Sequence, residues 1–197
     1  MPDTDAALTS ARDYVRNTSS SITSAEGAQV KRMQKGKQTS YDPKKEKKLL
    51  IFYALNYPSW QEKYIDVVRD SFDSMKLNLD MKAISKKIDK ADSKKAMPFI
   101  QSLKKSLESG VDATTVFGRK LAFDEAKVLK EMVPGLRQTL QKCVAVEIVK
   151  VDEGGKSGEV AGVIGDKADT VGTKRAELPP NAEGAVPGAP TFFFENV

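Results

Sequence analysis

Residues 48–54, Lys-Leu-Leu-Ile-Phe-Tyr-Ala, form a nearly continuous apolar run, and four residues later the chain reads Pro58-Ser59-Trp60-Gln61-Glu62. A run this short, partly β-branched and aromatic, reads as a buried strand. A second β-prone stretch lies far downstream. In residues 143–151, Val144, Val146 and Ile148 alternate with Ala145, Glu147 and Val149, the period of a strand. Helical patterns fill the interval. Ser59 followed by Glu62 predicts a capping box, with Pro58 just outside the helix. Trp60, Tyr64, Val67, Val68 and Phe72 share one face of that helix. A second helix runs through Met81, Ile84 and Ile88. A third begins around Met97-Pro98, turns Ile100, Leu103 and Leu107 inward, and ends at Gly110. A fourth starts at Asp124 and carries Val128, Leu129, Met132, Leu136 and Leu140. Pro134-Gly135 is expected to kink or split it. Strand, about four helices, strand makes a small α/β domain over residues 48–151.

Three flanking pieces complete an α+β chain. Residues 1–35 read as a helix with a thin apolar stripe of Leu8, Ala11, Val15, Ile22, Ala25 and Val30. The hydroxyl-rich run 17–21 weakens it, because such side chains compete for backbone hydrogen bonds. So thin a stripe must pack on something else. Residues 36–47 are a basic linker, and the stretch 31–48 carries a local charge of +6. Residues 152–197 hold eight of the thirteen glycines, four of the nine prolines and a local charge of −4. Short strands at 159–164 and 191–194 should add to the sheet edge like hairpins, separated by a mobile loop.

Composition excludes several chemistries. The chain has no histidine among its 197 residues, so Ser-His-Asp and Cys-His catalysis and His-ligated zinc are out. Cys143 is the single cysteine, which excludes an internal disulfide. No stretch reaches the roughly 18 apolar residues that a membrane helix needs. The acidic, polar start does not look like a targeting peptide, so a cytosolic, reducing setting is expected. The net charge of +5 is a mild lean toward polyanions.

No catalytic or metal-binding constellation emerges. Gly154-Gly155-Lys156-Ser157 resembles a phosphate loop, but the glycine needed five residues before Gly155 is Lys150, so a turn fits better. Asp124-Glu125 and Asp152-Glu153 are explained by capping and turn chemistry. Cys143 and Trp60 read as core. The lysines carry more information. Lys86, Lys87, Lys90, Lys94, Lys95, Lys104 and Lys105 crowd about twenty residues, opposed by Asp89 and Asp92. Lys44, Lys45, Lys47 and Lys48 lie in or beside the linker. Solvated faces and an RNA-backbone footprint both fit, and the absence of interleaved exposed aromatics favours phosphate contact over base readout. Arg119-Lys120 joins this set if the fold brings it alongside.

Several stretches together resemble one family. The segment 48–61, an apolar strand running into Tyr57-Pro58-Ser59-Trp60-Gln61, resembles the start of the C-terminal domain of cytosolic leucyl-tRNA synthetases of the eukaryotic and archaeal type. Residues 13–37 resemble the last helix of the anticodon-binding bundle and its Lys-rich connector. Lys95-Ala96-Met97-Pro98-Phe99-Ile100 and Leu121-Ala122-Phe123-Asp124-Glu125 resemble two later elements in the same order. The tail, with 185–190 and Phe194-Glu195-Asn196-Val197, resembles the ending of fungal-like forms.

The resemblance implies a C-terminal piece of a class I aminoacyl-tRNA synthetase whose parent attaches leucine to tRNA(Leu) with ATP and Mg2+ in the cytoplasm. This chain lacks the family's His-Ile-Gly-His and Lys-Met-Ser-Lys-Ser signatures. It is therefore expected to be inactive alone, with no cofactor, catalytic residue or metal of its own. The implied partners are tRNA(Leu), through its elbow or long variable arm, the rest of the synthetase, and other synthetases, with no membrane. The ten lysines 44, 45, 47, 48, 86, 87, 94, 95, 104 and 105 are the expected phosphate contacts. The alternative is a protein-interaction module of a multi-synthetase or translation assembly, using the acidic tail and Phe192-Phe193-Phe194.

Overall fold

A computed structural model of the chain describes residues 4–37, 41–75, 78–119 and 121–197. The helices are α1 (Thr4–Gln34), α2 (Ser59–Asp70), α3 (Met81–Lys86), α4 (Ser93–Glu108), α5 (Ala113–Gly118) and α6 (Glu125–Thr139). The strands are β1 (Lys47–Tyr53), β2 (Phe72–Asp73), β3 (Asn78–Leu79), β4 (Cys143–Val151), β5 (Gly158–Ile164), β6 (Lys174–Arg175) and β7 (Thr191–Asn196). The chain divides into two compact units, residues 1–56 with 121–197, and residues 57–120.

The first unit is built on a five-stranded sheet in the order β6-β5-β4-β1-β7. The two strands expected from the sequence pair in parallel, Leu49 opposite Val146 and Ile51 opposite Ile148. All seven residues of β1 are buried, which is why its sequence reads as a run and not an alternation. The alternation survives in three dimensions. Leu49, Ile51 and Tyr53 join Leu129, Met132, Val133 and Leu136 of α6 on one face, together with Tyr14 and Ile22 of α1. Leu50 and Phe52 face Val160, Ala182 and Ala185 on the other. So α1 finds its receiver in α6 and the sheet, through a thin line of Tyr14, Thr18 and Ile22.

The tail strands take opposite sides of the β4–β1 pair. β5 forms a hairpin with β4, turning through Gly154 and Gly155, both at positive φ. β7 instead returns across the sheet to pair antiparallel with β1.

In the second unit, Tyr64, Ile65 and Val68 of α2 meet Ala96, Ile100, Leu103 and Leu107 of α4, with Ile84 and Val116 closing the core. β2 and β3 make a short antiparallel ladder. Asp80 and Asp112 cap α3 and α5, each accepting two backbone N–H bonds. At the end of α4, Gly110 N–H bonds Leu107 and Val111 N–H bonds Ser106. This closes the helix with glycine at φ +87°.

Four local expectations are corrected. The Ser59–Glu62 capping box does not form: Pro58 is the flanking residue, and Ser59 is already helical, without a side-chain cap. The third helix begins at Ser93, four residues before Met97. Pro98 then sits inside the helix, in its second turn, where its ring gives up the hydrogen bond to the Lys94 carbonyl and crowds that oxygen. Pro134-Gly135 does not split α6, because Met132, Val133 and Leu136 anchor the helix on the sheet. The interval also holds a fifth helix, α5, beyond the four expected.

Candidate interaction surface

The ten lysines separate by environment. Lys44 and Lys45 are exposed ahead of β1. Lys47 is not a linker residue: together with Lys48, expected at the start of the strand, it opens β1, and both are buried. The Lys47 ammonium pairs with Glu26 of α1 and reaches the Pro43 carbonyl at 3.3 Å. Lys48 lies 3.1 Å from Glu147 and 3.0 Å from Glu195. Burial works against its charge, but the two carboxylates win and hold its pKa above the ordinary lysine value. These two ammoniums bind the fold together, so the expected phosphate role does not suit them.

Glu147 is the centre of that network. It is fully buried and accepts from Lys48, from Asp169 N–H at 2.8 Å and from Arg175 at 2.5 Å. Arg175 also reaches Asp169 at 2.7 Å. A carboxylate so placed is stabilised only while its cations remain.

The other six lysines belong to the second unit. Lys86 and Lys87 end α3, Lys94 and Lys95 occupy the first turn of α4, and Lys104 and Lys105 lie near its end. The two pairs on α4 are about 15 Å apart along the axis at 1.5 Å per residue. The local carboxylates are already engaged. Asp89 takes Lys63 at 2.5 Å, and Asp92 takes Lys95 at 2.9 Å and the Tyr64 hydroxyl at 2.9 Å. Lys95 first, and then Tyr64, hold Asp92 below the usual carboxylate range. Lys104 sits 3.5 Å from Glu108. Lys86, Lys87, Lys94 and Lys105 have no ion pair among the described residues. Lys120 lies outside those residues.

Beside these lysines sits a cluster the sequence reading missed. The Arg119 guanidinium carbon lies over the Tyr57 ring, 3.3 Å from its centroid, and 5.1 Å from the centroid of Phe99. It donates to Gln61 Oε1 at 2.6 Å. Phe99 meets Trp60 edge-on at 5.4 Å, and the Lys95 ammonium stands 5.3 Å over Trp60. Burial pulls the Arg119 pKa down from its ordinary value. Its backbone is left-handed, φ 49°, as the C-cap of α5. Asp112 before Ala-Thr-Thr was the available signal for α5, as an N-cap.

Among the described residues, no group of three or more His, Cys, Asp or Glu side chains could hold a metal. No described helix is long and apolar enough to cross a membrane.

Comparison with known proteins decides the relationship. Over its whole length the chain is 47% identical to the cytoplasmic leucine–tRNA ligase of Neurospora crassa, and it covers 17% of that protein. With the cytoplasmic leucine–tRNA ligase of Saccharomyces cerevisiae it shares 31% identity, over 98% of the chain and 17% of the ligase. The chain is homologous to cytoplasmic leucine–tRNA ligases. It spans about a sixth of the length of these relatives. A family model described as "leucine–tRNA ligase, RagD-binding domain" matches residues 53–116. That match begins at the last residue of β1 and covers almost all of the second unit, so this family model and the helical unit coincide, while the ligase homology runs over the whole chain. The cytoplasmic designation of the ligases agrees with the cytosolic setting expected from the sequence.

Proposed function

We propose that this chain is a non-catalytic docking segment of a leucyl-tRNA synthetase, in which residues 57–120 receive a protein partner of the RagD kind. The coincidence of the RagD-binding family match, 53–116, with the compact helical unit 57–120 carries this reading. A unit with its own closed core, Tyr64 through Val116, is suited to present a fixed surface to a partner. ATP, Mg2+ and the leucylation of tRNA(Leu) belong to the remainder of the enzyme.

A second reading is favoured by the lysines. Lys86, Lys87, Lys94 and Lys105 are exposed without carboxylate partners among the described residues, and Lys44 and Lys45 are exposed in the first unit. They suit contact with tRNA phosphates near the elbow or the long variable arm, by shape and charge and not by base edges. Docking of other synthetases belongs to the protein-partner reading.

Binding of the purified chain tests both. RagD and tRNA(Leu) are titrated separately over a salt series, with a tRNA of short variable arm as control. Saturable binding of RagD supports the first reading, and its absence overturns it. Preference for tRNA(Leu), with a log–log salt slope of about −0.7 to −0.9 per phosphate neutralised, supports the second. A shallow slope without preference removes it. Leucine-dependent ATP–pyrophosphate exchange by the chain alone would overturn the non-catalytic assignment.

A further inference from the structure

Within the second unit, the aromatic–cation cluster has the composition and placement of a protein-binding hot spot. Trp, Tyr and Arg dominate binding energy at protein interfaces. Here Tyr57, Trp60, Phe99 and Arg119 lie together, all of them only partly buried, although the core beside them is closed. The aromatic rings offer rigid apolar area at small entropic cost. The cations set the chemistry. Arg119 spends one terminal nitrogen on Gln61, while its other, Nη1, has no acceptor among the described residues. That nitrogen is itself buried, so what Arg119 offers a partner is the charge of its guanidinium over the Tyr57 ring. The Lys95 side chain is half exposed over Trp60. Lys94 on the same turn of α4 has no carboxylate partner among the described residues, and Lys86 and Lys87 closely precede that helix.

We infer that the patch formed by Tyr57, Trp60, Phe99 and Arg119, flanked by Lys95, is where the protein partner docks, and that the partner presents an apolar side chain with adjacent carboxylates. The apolar group covers Trp60 and Phe99, and the carboxylates meet Arg119 and Lys95. Charge complementarity selects the acidic character: residues 82–105 hold eight lysines against Asp89 and Asp92, and those two aspartates are already paired with Lys63 and Lys95. This inference rests on the protein-docking reading and names the site within it.

Trp60 is the single tryptophan of the chain, so it reports on this patch alone. The chain is labelled with 5-fluorotryptophan, and its one fluorine resonance is followed during titration with RagD and, separately, with a synthetic peptide of alternating Glu and Leu. Expected are a shifted Trp60 resonance on binding and an affinity loss of tenfold or more in Lys95→Glu and Arg119→Asn. Asparagine tolerates the left-handed backbone at 119. Lys105→Glu, at the far end of α4, should change affinity less than threefold. Circular dichroism melts establish that each variant is folded. If Arg119→Asn is not, Lys95→Glu, on an exposed side chain, decides the test by itself. RagD binding that leaves Trp60 and the Lys95 variant unaffected overturns the site. If RagD fails to bind but the peptide shifts Trp60 and loses affinity in Lys95→Glu, the RagD reading falls and the patch stands. If neither binds, or if only tRNA(Leu) shifts the resonance, the inference is overturned.

Discussion

Lys48 on β1 reaches its parallel neighbour β4 and sets its ammonium 3.1 Å from the fully buried carboxylate of Glu147. Arg175 closes on the same carboxylate from β6, at 2.5 Å. The network therefore ties together the centre of the sheet and its edge. Replacing one member leaves the others charged and buried. Glu147→Gln should destabilise the fold by about 3 kcal/mol, in the range for breaking a buried pair. Urea denaturation at neutral pH measures this, and a loss below about 1 kcal/mol would show that water replaces the carboxylate.

The lysines should divide into two classes. Lys47→Ala removes the partner of Glu26 and should cost about 3 kcal/mol. Lys94→Glu and Lys105→Glu should leave stability within about 0.5 kcal/mol, as surface changes do, and act on polyanion binding instead. Thermal melts and tRNA binding, measured on the same preparations, check the division. A Lys94 variant that melts early would contradict the exposed placement.

Glu125 predicts a pH dependence. It is 6% exposed and accepts from the Tyr14 hydroxyl at 2.7 Å and Gly188 N–H at 3.1 Å. Burial raises its pKa above the ordinary 4.5, although both hydrogen bonds oppose the shift. The folded state therefore holds this proton where the unfolded chain has released it. The contribution is fully present below about pH 4.5 and is lost as pH rises through the folded-state value. Glu125→Gln should flatten this component, so the stability difference between wild type and variant should move in the variant's favour from about pH 4 to about pH 8. Tyr14→Phe should raise the Glu125 pKa further and cost about 1–3 kcal/mol by leaving the carboxylate short of a donor. Urea melts at several pH values decide both.

Two glycines with similar backbone angles should behave differently. Gly165 has φ +99°, and a Cβ there would strike the Val144 carbonyl oxygen and the Ala145 backbone. Gly154 has φ +92° in open space. Gly154→Ala should cost about 1 kcal/mol for the left-handed backbone alone, and Gly165→Ala clearly more, by about 2 kcal/mol or above. Equal melting shifts would remove the distinction.

The sequence announced β1 and β4 because hydrophobic runs and alternation are local signals, and both strands fall within a residue of their expected bounds. It announced α1, α6 and the Gly154-Gly155 turn for the same reason. It put Lys48 at the head of the strand but could not show that Lys47 enters the sheet or that both ammoniums are paired there, because lysine in a basic stretch reads as linker. Their partners lie elsewhere along the chain: the strand register brings Glu147 and Glu195 to Lys48, and the packing of α1 brings Glu26 to Lys47. The pairing of β7 with β1 was hidden likewise: Phe192-Phe193-Phe194 marks a strand but carries no address. The Arg119–Tyr57 stack joins residues sixty-two positions apart, so no motif records it, whereas the resemblance in residues 48–61 pointed directly to the ligase homology.

Within its sheet β1 comes first along the chain, yet its neighbours are β4, nearly a hundred residues later, and β7, later still. A nascent chain must therefore carry an apolar ribbon with two open edges while residues 57–120, all of whose core partners lie within that stretch, complete their own core. Such long-range closure is slow compared with helix packing. The helical unit is thus poised to be finished before the sheet whose strands flank it in the chain exists, and β1 is the segment that needs shielding in the meantime.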